Sequence, residues 1–434
     1  MPTELTFDFL QAAFPKEGLF EGKEWLSSPE PFRLAPSTVR EIVELGPVLH
    51  RFLKAADRFY TDSHEGRGVP WLAHLLDRGK PREVIALGLE ESFRKDVPEV
   101  VRPDLLLASD GLFLTEIDSL PGGMGVLAWL NEVFAGAGWE VLGGGRGMIE
   151  GFARVVLDGP VIFSRESEGY RPEMEWLMRQ IDSGAPGGKR VLAESDFNPS
   201  EFSSSVIYRF FELWDLENVQ NSRRFLDMAV SGGVRFTPPL KAYLEEKLWL
   251  ALVWNPALQK AWIERLGFLD FTALQRHVPQ GWVVDPEPIP YFAEYPGLGI
   301  QTWQEIKAFT QKERRLVLKI SGFSETAWGS RGVYVGHDLS SGEWGAAVDR
   351  ALSLADRNPF ILQRFHQAKV VEHPYWDPLT GKRRSLRGRV RLCPYFFRKG
   401  DSVELAGVLA TICPEDKKII HGMRDSILVP CVAG

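Results

Sequence analysis

Residues 102–123, RPDLLLASDGLFLTEIDSLPGG, constrain what this chain can fold into more than any other stretch. Two apolar runs, 105–108 and 112–114, flank Ser109-Asp110-Gly111, a pattern that predicts a β-hairpin. Acidic residues stand at its open end: Asp104 on the way in, Glu116 and Asp118 on the way out. If Asp110-Gly111 alone turned the chain, Asp104 would pair with Ile117 and point away from Glu116, because side chains alternate faces along a strand. If the loop is Ser109-Asp110-Gly111, with Gly111 left-handed in a bulge, Asp104 sits opposite Glu116. We take the second register, which gathers three carboxylates on one face with Arg102 beside them. Converging carboxylates repel unless protonated or bridged by a cation, and hard oxygen ligands suit Mg2+. Considered alone, this spacing more often describes a solvated hairpin end; the remainder of the chain tips the balance.

At 434 residues the chain is long for one core, and two or three domains are expected. The formal charge of −7 argues against broad binding of nucleic acid or an anionic membrane. Three widely spaced cysteines without a CxxC read as reduced, buried thiols of a cytoplasmic protein rather than a zinc site. The first residues, MPTELTFDFLQAAF, carry acids where a signal peptide carries positive charge. No apolar run approaches the ~20 residues that span a bilayer.

Along the chain, residues 1–100 read as mainly helical. The run 38–56 has Val39, Ile42, Val43, Val48, Leu49 and Leu53 on a rough 3.6-residue period, interrupted at Gly46-Pro47. A strand–helix–strand unit comes next: 160–164 and 190–193 are strand-like, and Met174, Leu177, Met178 and Ile181 line one helical face between them, with residues 184–188 closing the helix. With 206–211 as a third strand, this predicts a small Rossmann-like unit with parallel strands, and no GxGxxG to support a dinucleotide. Thr237-Pro238-Pro239 is expected to open a long helix reaching about residue 254. Beyond it, strands are expected at 315–320, 332–336, 359–365, 390–397, 405–412 and 419–420, with a helix at 341–355. That makes this half α+β with a largely antiparallel sheet. The expected division is 1–155, helical with the hairpin; 156–235, Rossmann-like; and 236–434.

A strand carrying Lys319, then a loop with Gly322 and Gly329, then Gly332 and a returning strand is a device for covering polyphosphate. Glycines let backbone N–H groups approach phosphate oxygens, and the lysine adds a point charge. The arrangement is not a P-loop, since the lysine precedes the glycines and no helix follows them. Residues 360–365 suit an edge that reads adenine through backbone groups around 362–364. Residues 382–387 of the basic run KRRSLRGRVR read as a solvated loop, while Arg389 and Arg391 alternate onto one strand face and call for anionic partners.

R-x-D, twelve residues from Asp104 to Glu116, E-x-D and Pro-Gly, then far downstream V-L-K, a glycine loop and an I-L-Q strand, together resemble the circularly permuted ATP-grasp proteins, with glutathionylspermidine synthase as the type. The resemblance implies an ATP-grasp fold with a Rossmann-like pre-ATP-grasp domain and a helical N-terminal region. It implies Mg2+ at Asp104, Glu116 and Asp118, and a phosphate or acyl-phosphate contact at Arg102. It also implies ATP held by Lys319, Gly322, Gly329 and Gly332, with Gln363 at the adenine hinge. Asp118 stands where the family commonly has Asn, and Arg276 where a second nucleotide lysine is expected. The implied activity joins a carboxylate to an amine. ATP phosphorylates the acid, the amine displaces phosphate, and Arg102 with Arg389 or Arg391 stabilises the developing oxyanion. His421 and Arg424 are candidates to reach substrate. A nucleotide-binding relative without turnover and a phosphotransferase are the alternatives.

Overall fold

The computed structural model describes residues 2–15, 25–118, 120–181, 191–198, 206–290, 293–327, 331–417, 419–420 and 424–434. Residues 184–188, Gly329 and His421, to which the sequence assigned roles, lie outside them. The chain forms two compact units. The first gathers Met1–Arg51, Glu90–Leu240 and Gln367–Gly434; the second gathers Phe52–Leu89 and Lys241–His366. The expected stretch 236–434 is therefore divided: its last part belongs with the hairpin, and the lysine-bearing strands do not. Among the described residues, no helix is long and apolar enough to cross a membrane.

The first unit holds a seven-stranded sheet in the order Phe32–Leu34, Ile427–Ala433, Ser402–Pro414, Arg383–Lys399, Val100–Ala108 and Gly111–Asp118, with Val370–Trp376 also paired to Arg383–Lys399. Only the Phe32–Leu34 pairing is parallel; the rest are antiparallel. Two sequence expectations are corrected here. Residues 382–387 are not a loop, because the strand begins at Arg383 and pairs with Val370–Trp376 while its arginines meet carboxylates, Arg383 on Glu4 and Arg387 on Glu415. Residues 419–420 are not a strand; the last strand is Ile427–Ala433, whose Pro430 disguises it because proline lacks a ladder donor.

Helix Met124–Gly136 is buried nearly all round, as an almost wholly apolar helix must be, and packs into a core with Met148, Phe152, Met174, Tyr395 and Phe397. The same unit holds a four-stranded sheet, Val191–Ala193, Val161–Phe163, Val206–Phe210 and Arg235–Thr237, with every pairing parallel. The strands expected at 160–164, 190–193 and 206–211 pair in parallel, with one more strand than the sequence suggested. The long helix expected from Thr237 does not form. Thr237 ends the fourth strand, and a 3-10 turn at Ala242–Glu245 and a short helix, Leu248–Leu252, come after it. Arg209, fully buried, explains the start of this. Its guanidinium donates to the carbonyl oxygens of Phe211 (2.6 Å), Pro238 (2.9 Å) and Pro239 (2.9 Å), so the two proline carbonyls are engaged outside any helix.

The helix expected at 38–56 runs from Pro36 to His64 without a break at Gly46-Pro47. Gly46 has a packing role: a Cβ there would lie 2.4 Å from the Phe396 ring.

In the second unit a four-stranded antiparallel sheet runs Val333–Val335, Leu316–Ile320, Phe360–Arg364, Gly281–Val284. One face carries Trp282, Val284, Leu316, Leu318, Ile320, Phe360 and Leu362 into a core completed by Trp344, Val348 and Ala351 of helix Ser341–Ser353. A capping box of Ser340 and Glu343 starts that helix, and the Trp344 indole donates to the Ile306 carbonyl at 2.8 Å.

Candidate functional site

The hairpin has the register that faces its acids together, but the extra residue is elsewhere. Ala108 pairs with Gly111, so Ser109-Asp110 makes a two-residue turn, and Gly111 has a positive φ of 146°. The bulge falls at Thr115: Leu105 pairs with Leu114, and Asp104 with Glu116. Arg102 pairs with Asp118 one step further. Period-two alternation then puts Arg102, Asp104, Glu116 and Asp118 on one face. The neighbouring strand Arg383–Lys399 adds Arg391, Cys393 and Tyr395 to the same polar stripe.

Arg102 and Asp104 are buried, 8% and 6% exposed. The Asp104 carboxylate is shared, taking Arg102 Nη1 at 3.2 Å and Arg391 Nη1 at 2.7 Å, while the Cys393 thiol donates to it at 3.4 Å. Arg102 also binds Asp118, whose other oxygen accepts the Leu120 N–H at 3.0 Å. Burial is the largest influence and works against both guanidinium charges, but Asp104 together with the neighbouring Cys393 and Tyr395 outweighs it and holds their pKa values above the usual arginine range. Burial pushes the Cys393 thiol up and the Tyr395 phenol up. The Nε atoms of Arg102 and Arg391 are buried without a hydrogen-bond partner among the described residues. A buried N–H donor without an acceptor is costly, so the ion pairs to Asp104 hold both side chains in place against that cost.

The donor set has the chemistry for a hard cation. Both aspartates nonetheless face arginines, and among the described residues no group of three or more His, Cys, Asp or Glu is arranged to hold a metal. Arg389, expected beside Arg391, bonds instead to the carbonyls of Ala368 (2.8 Å) and Glu415 (2.9 Å).

Sequence reasoning missed four groups here. Tyr395 donates to the Gly122 carbonyl, and Tyr170 packs against Gly122, where a Cβ would lie 2.1 Å from its ring. Glu173, fully buried, accepts the Gly123 N–H at 2.9 Å at the start of helix Met124–Gly136, which steers the chain leaving Asp118. Cys393 is the fourth. Only Glu173 had a local signal, an acid on an otherwise apolar helix face.

In the second unit, register puts Val317, Lys319, Ile361 and Gln363 on the sheet face opposite the core. Val317 and Lys319 are half-buried, and Gln363 is 1% exposed with both amide atoms unpartnered among the described residues. Gly281, paired with Gln363, makes room for it: a Cβ there would stand 3.2 Å from the Gln363 Cγ. This face is covered at Ile361 and Gln363, with Ala251 of helix Leu248–Leu252 3.5 Å from a Cβ placed on Gly281, and is partly open at Lys319. Gly322 and Gly332 are both buried at the loop's two ends. Arg276 is exposed on the last turn of helix Phe268–His277.

The sequence matches no family model and no curated protein. Among solved structures, the chain is similar to a glutathione synthetase-like effector, GSS30, from Globodera pallida in its apo form. The TM-score is 0.54 at 11% identity, covering 94% of this chain and 90% of that one. That likeness is one of fold. A putative gamma-glutamylcysteine synthetase from Methylobacillus flagellatus KT overlaps 91% of this chain and 86% of its own at 10% identity, with a TM-score of 0.38, which carries no assignment.

Proposed function

We propose that the chain is an ATP-dependent ligase that joins a carboxylate to an amine through an acyl phosphate, on an ATP-grasp scaffold of the permuted, glutathionylspermidine synthase-like order. The observation that carries this reading is the pair of arginines, buried Arg102 and half-buried Arg391, gathered with three carboxylates on one sheet face. A phosphorylated carboxylate, with its negative oxygens, is a fitting partner for guanidinium groups. The fold likeness to a glutathione synthetase-like protein and the placement of Lys319 and Gln363 on one sheet face support the same reading.

In this proposal Lys319 meets the phosphates, Gln363 reads the base, and Gly322, Gly329 and Gly332 let the loop backbone approach the phosphates. Arg276 is the remaining candidate cation for the nucleotide. Asp104, Glu116 and Asp118 are the carboxylates that would hold Mg2+, which would neutralise charge on the triphosphate. Arg102 and Arg391 stabilise the acyl phosphate and the oxyanion formed when the amine attacks; Arg389, already bonded to two carbonyls, is the weaker candidate for that role. The substrates are a small-molecule or peptide acid and an amine. Incubating the protein and Mg-ATP with pools of amino acids, polyamines and peptides should release ADP and phosphate in step with an amide. A stable phosphorylated product would instead establish a phosphotransferase, and Mg-ATP binding without turnover a nucleotide-binding protein.

A further inference from the structure

The second unit contains a buried ion pair that the ligase reading does not use. Lys80 and Glu246 are both buried, and one Glu246 oxygen binds the Lys80 ammonium, which also donates to the Leu76 carbonyl at 2.5 Å. The other oxygen accepts the Ser321 hydroxyl. Ser321 is the residue that leaves strand Leu316–Ile320 and opens the glycine-rich loop. Its hydroxyl oxygen in turn accepts the Leu248 N–H at 2.9 Å, so the side chain has one acceptor, one donor and one orientation.

The next residues lie on the same seat. A Cβ on Gly322 would stand 2.9 Å from the Glu245 carbonyl oxygen and 3.0 Å from the Glu246 carboxyl carbon, so the loop passes directly over residues 245–246. Phe323 has a positive φ of 41°, rare for an aromatic residue, and the Lys80 ammonium lies 5.5 Å from its ring centroid. Lys247 spans the loop's first half, reaching the Ser321 carbonyl at 3.3 Å and the Ala327 carbonyl at 3.4 Å. Burying an ion pair adds little net stability, since desolvation offsets the attraction. Its return here is orientation.

We propose that Glu246, held by Lys80 and acting through Ser321, is a positioning residue for the first half of the glycine-rich loop, residues 321–327, and that Lys247 clips the same stretch, so that the backbone N–H groups of these residues aim at a polyphosphate. The inference rests on the nucleotide reading and adds residues that the reading did not assign. Ser321 and Lys247 influence the phosphates through the loop backbone, and the nucleoside end of the ligand is untouched by them.

The test is calorimetric binding of Mg-ATP and of adenosine to the wild-type chain, Ser321→Ala and Lys247→Met. Loss of the Ser321 tether should weaken Mg-ATP about tenfold, in line with one charge-assisted hydrogen bond, while adenosine binds as before. Lys247→Met leaves the buried pair intact and should show the same split even if Ser321→Ala fails to fold. Equal weakening of both ligands, or no change in either, would overturn the positioning role alone. A wild-type chain that binds neither would overturn the nucleotide reading and this inference with it.

Discussion

Asp104 is the residue on which the polar stripe turns, because its carboxylate meets two guanidinium groups, buried Arg102 and half-buried Arg391. Removing one member of a buried charged set leaves the others uncompensated at about 3–5 kcal/mol. Asp104→Ala should therefore lower unfolding stability by about 3 kcal/mol or more in a denaturant titration, and Glu116→Ala, half-buried, by distinctly less. A ranking in the opposite order would show that Asp104 is not the hub. His373 makes a separate prediction. Burial is the main cause pushing its pKa down to about 4, and its Nε2 lies 3.0 Å from the Ser28 hydroxyl. It stays neutral in the fold while the unfolded chain protonates near the ordinary value, so the unfolded state binds more protons between about pH 4 and 6.5. Stability should fall as pH drops through that window, by an amount of order 3 kcal/mol, and His373→Gln should flatten that part of the curve.

At the scale of elements, Gly46 shows how packing overrides propensity. Helix propensity alone makes Gly46→Ala a gain of about 1 kcal/mol within Pro36–His64. The Phe396 ring, 2.4 Å from the new Cβ, should reverse the sign, giving a net loss of about 1–2 kcal/mol in thermal or urea unfolding. The hairpin makes a related point. Apolar spacing and the demand for co-facial acids were enough to predict that Asp104 opposes Glu116, yet the extra residue sits at Thr115 rather than in the turn. Either placement restores the same alternation, and no residue in TEID distinguishes a bulge from a regular pair. Residues 237–254 were misread because apolar residues are so frequent among them. Apolar residues that frequent fit a helical period whatever the backbone does, and Arg209, from another strand, fixes the backbone at Pro238 and Pro239.

For the molecule as a whole, Mg-ATP should raise the melting temperature by mass action, by about 2.7 kcal/mol of stability at a hundredfold excess over its dissociation constant. Lys319→Ala and Glu116→Ala should each abolish the shift; a shift that survives both would remove these residues from the site. The local chemistry of this protein was written in its residue order. That order includes the hairpin, the parallel strands, the lysine followed by glycines, and the strand that carries Gln363, because each depends on alternation and turn residues a few positions apart. Tertiary structure alone decided which distant side chains complete them. Cys393 and Arg391 reach Asp104 across a strand pairing nearly three hundred residues apart in the chain, and Glu246 meets Ser321 in the same long-range way. Contacts of that kind follow from the registry of sheets and the placement of buried charge, and no short-range pattern encodes them.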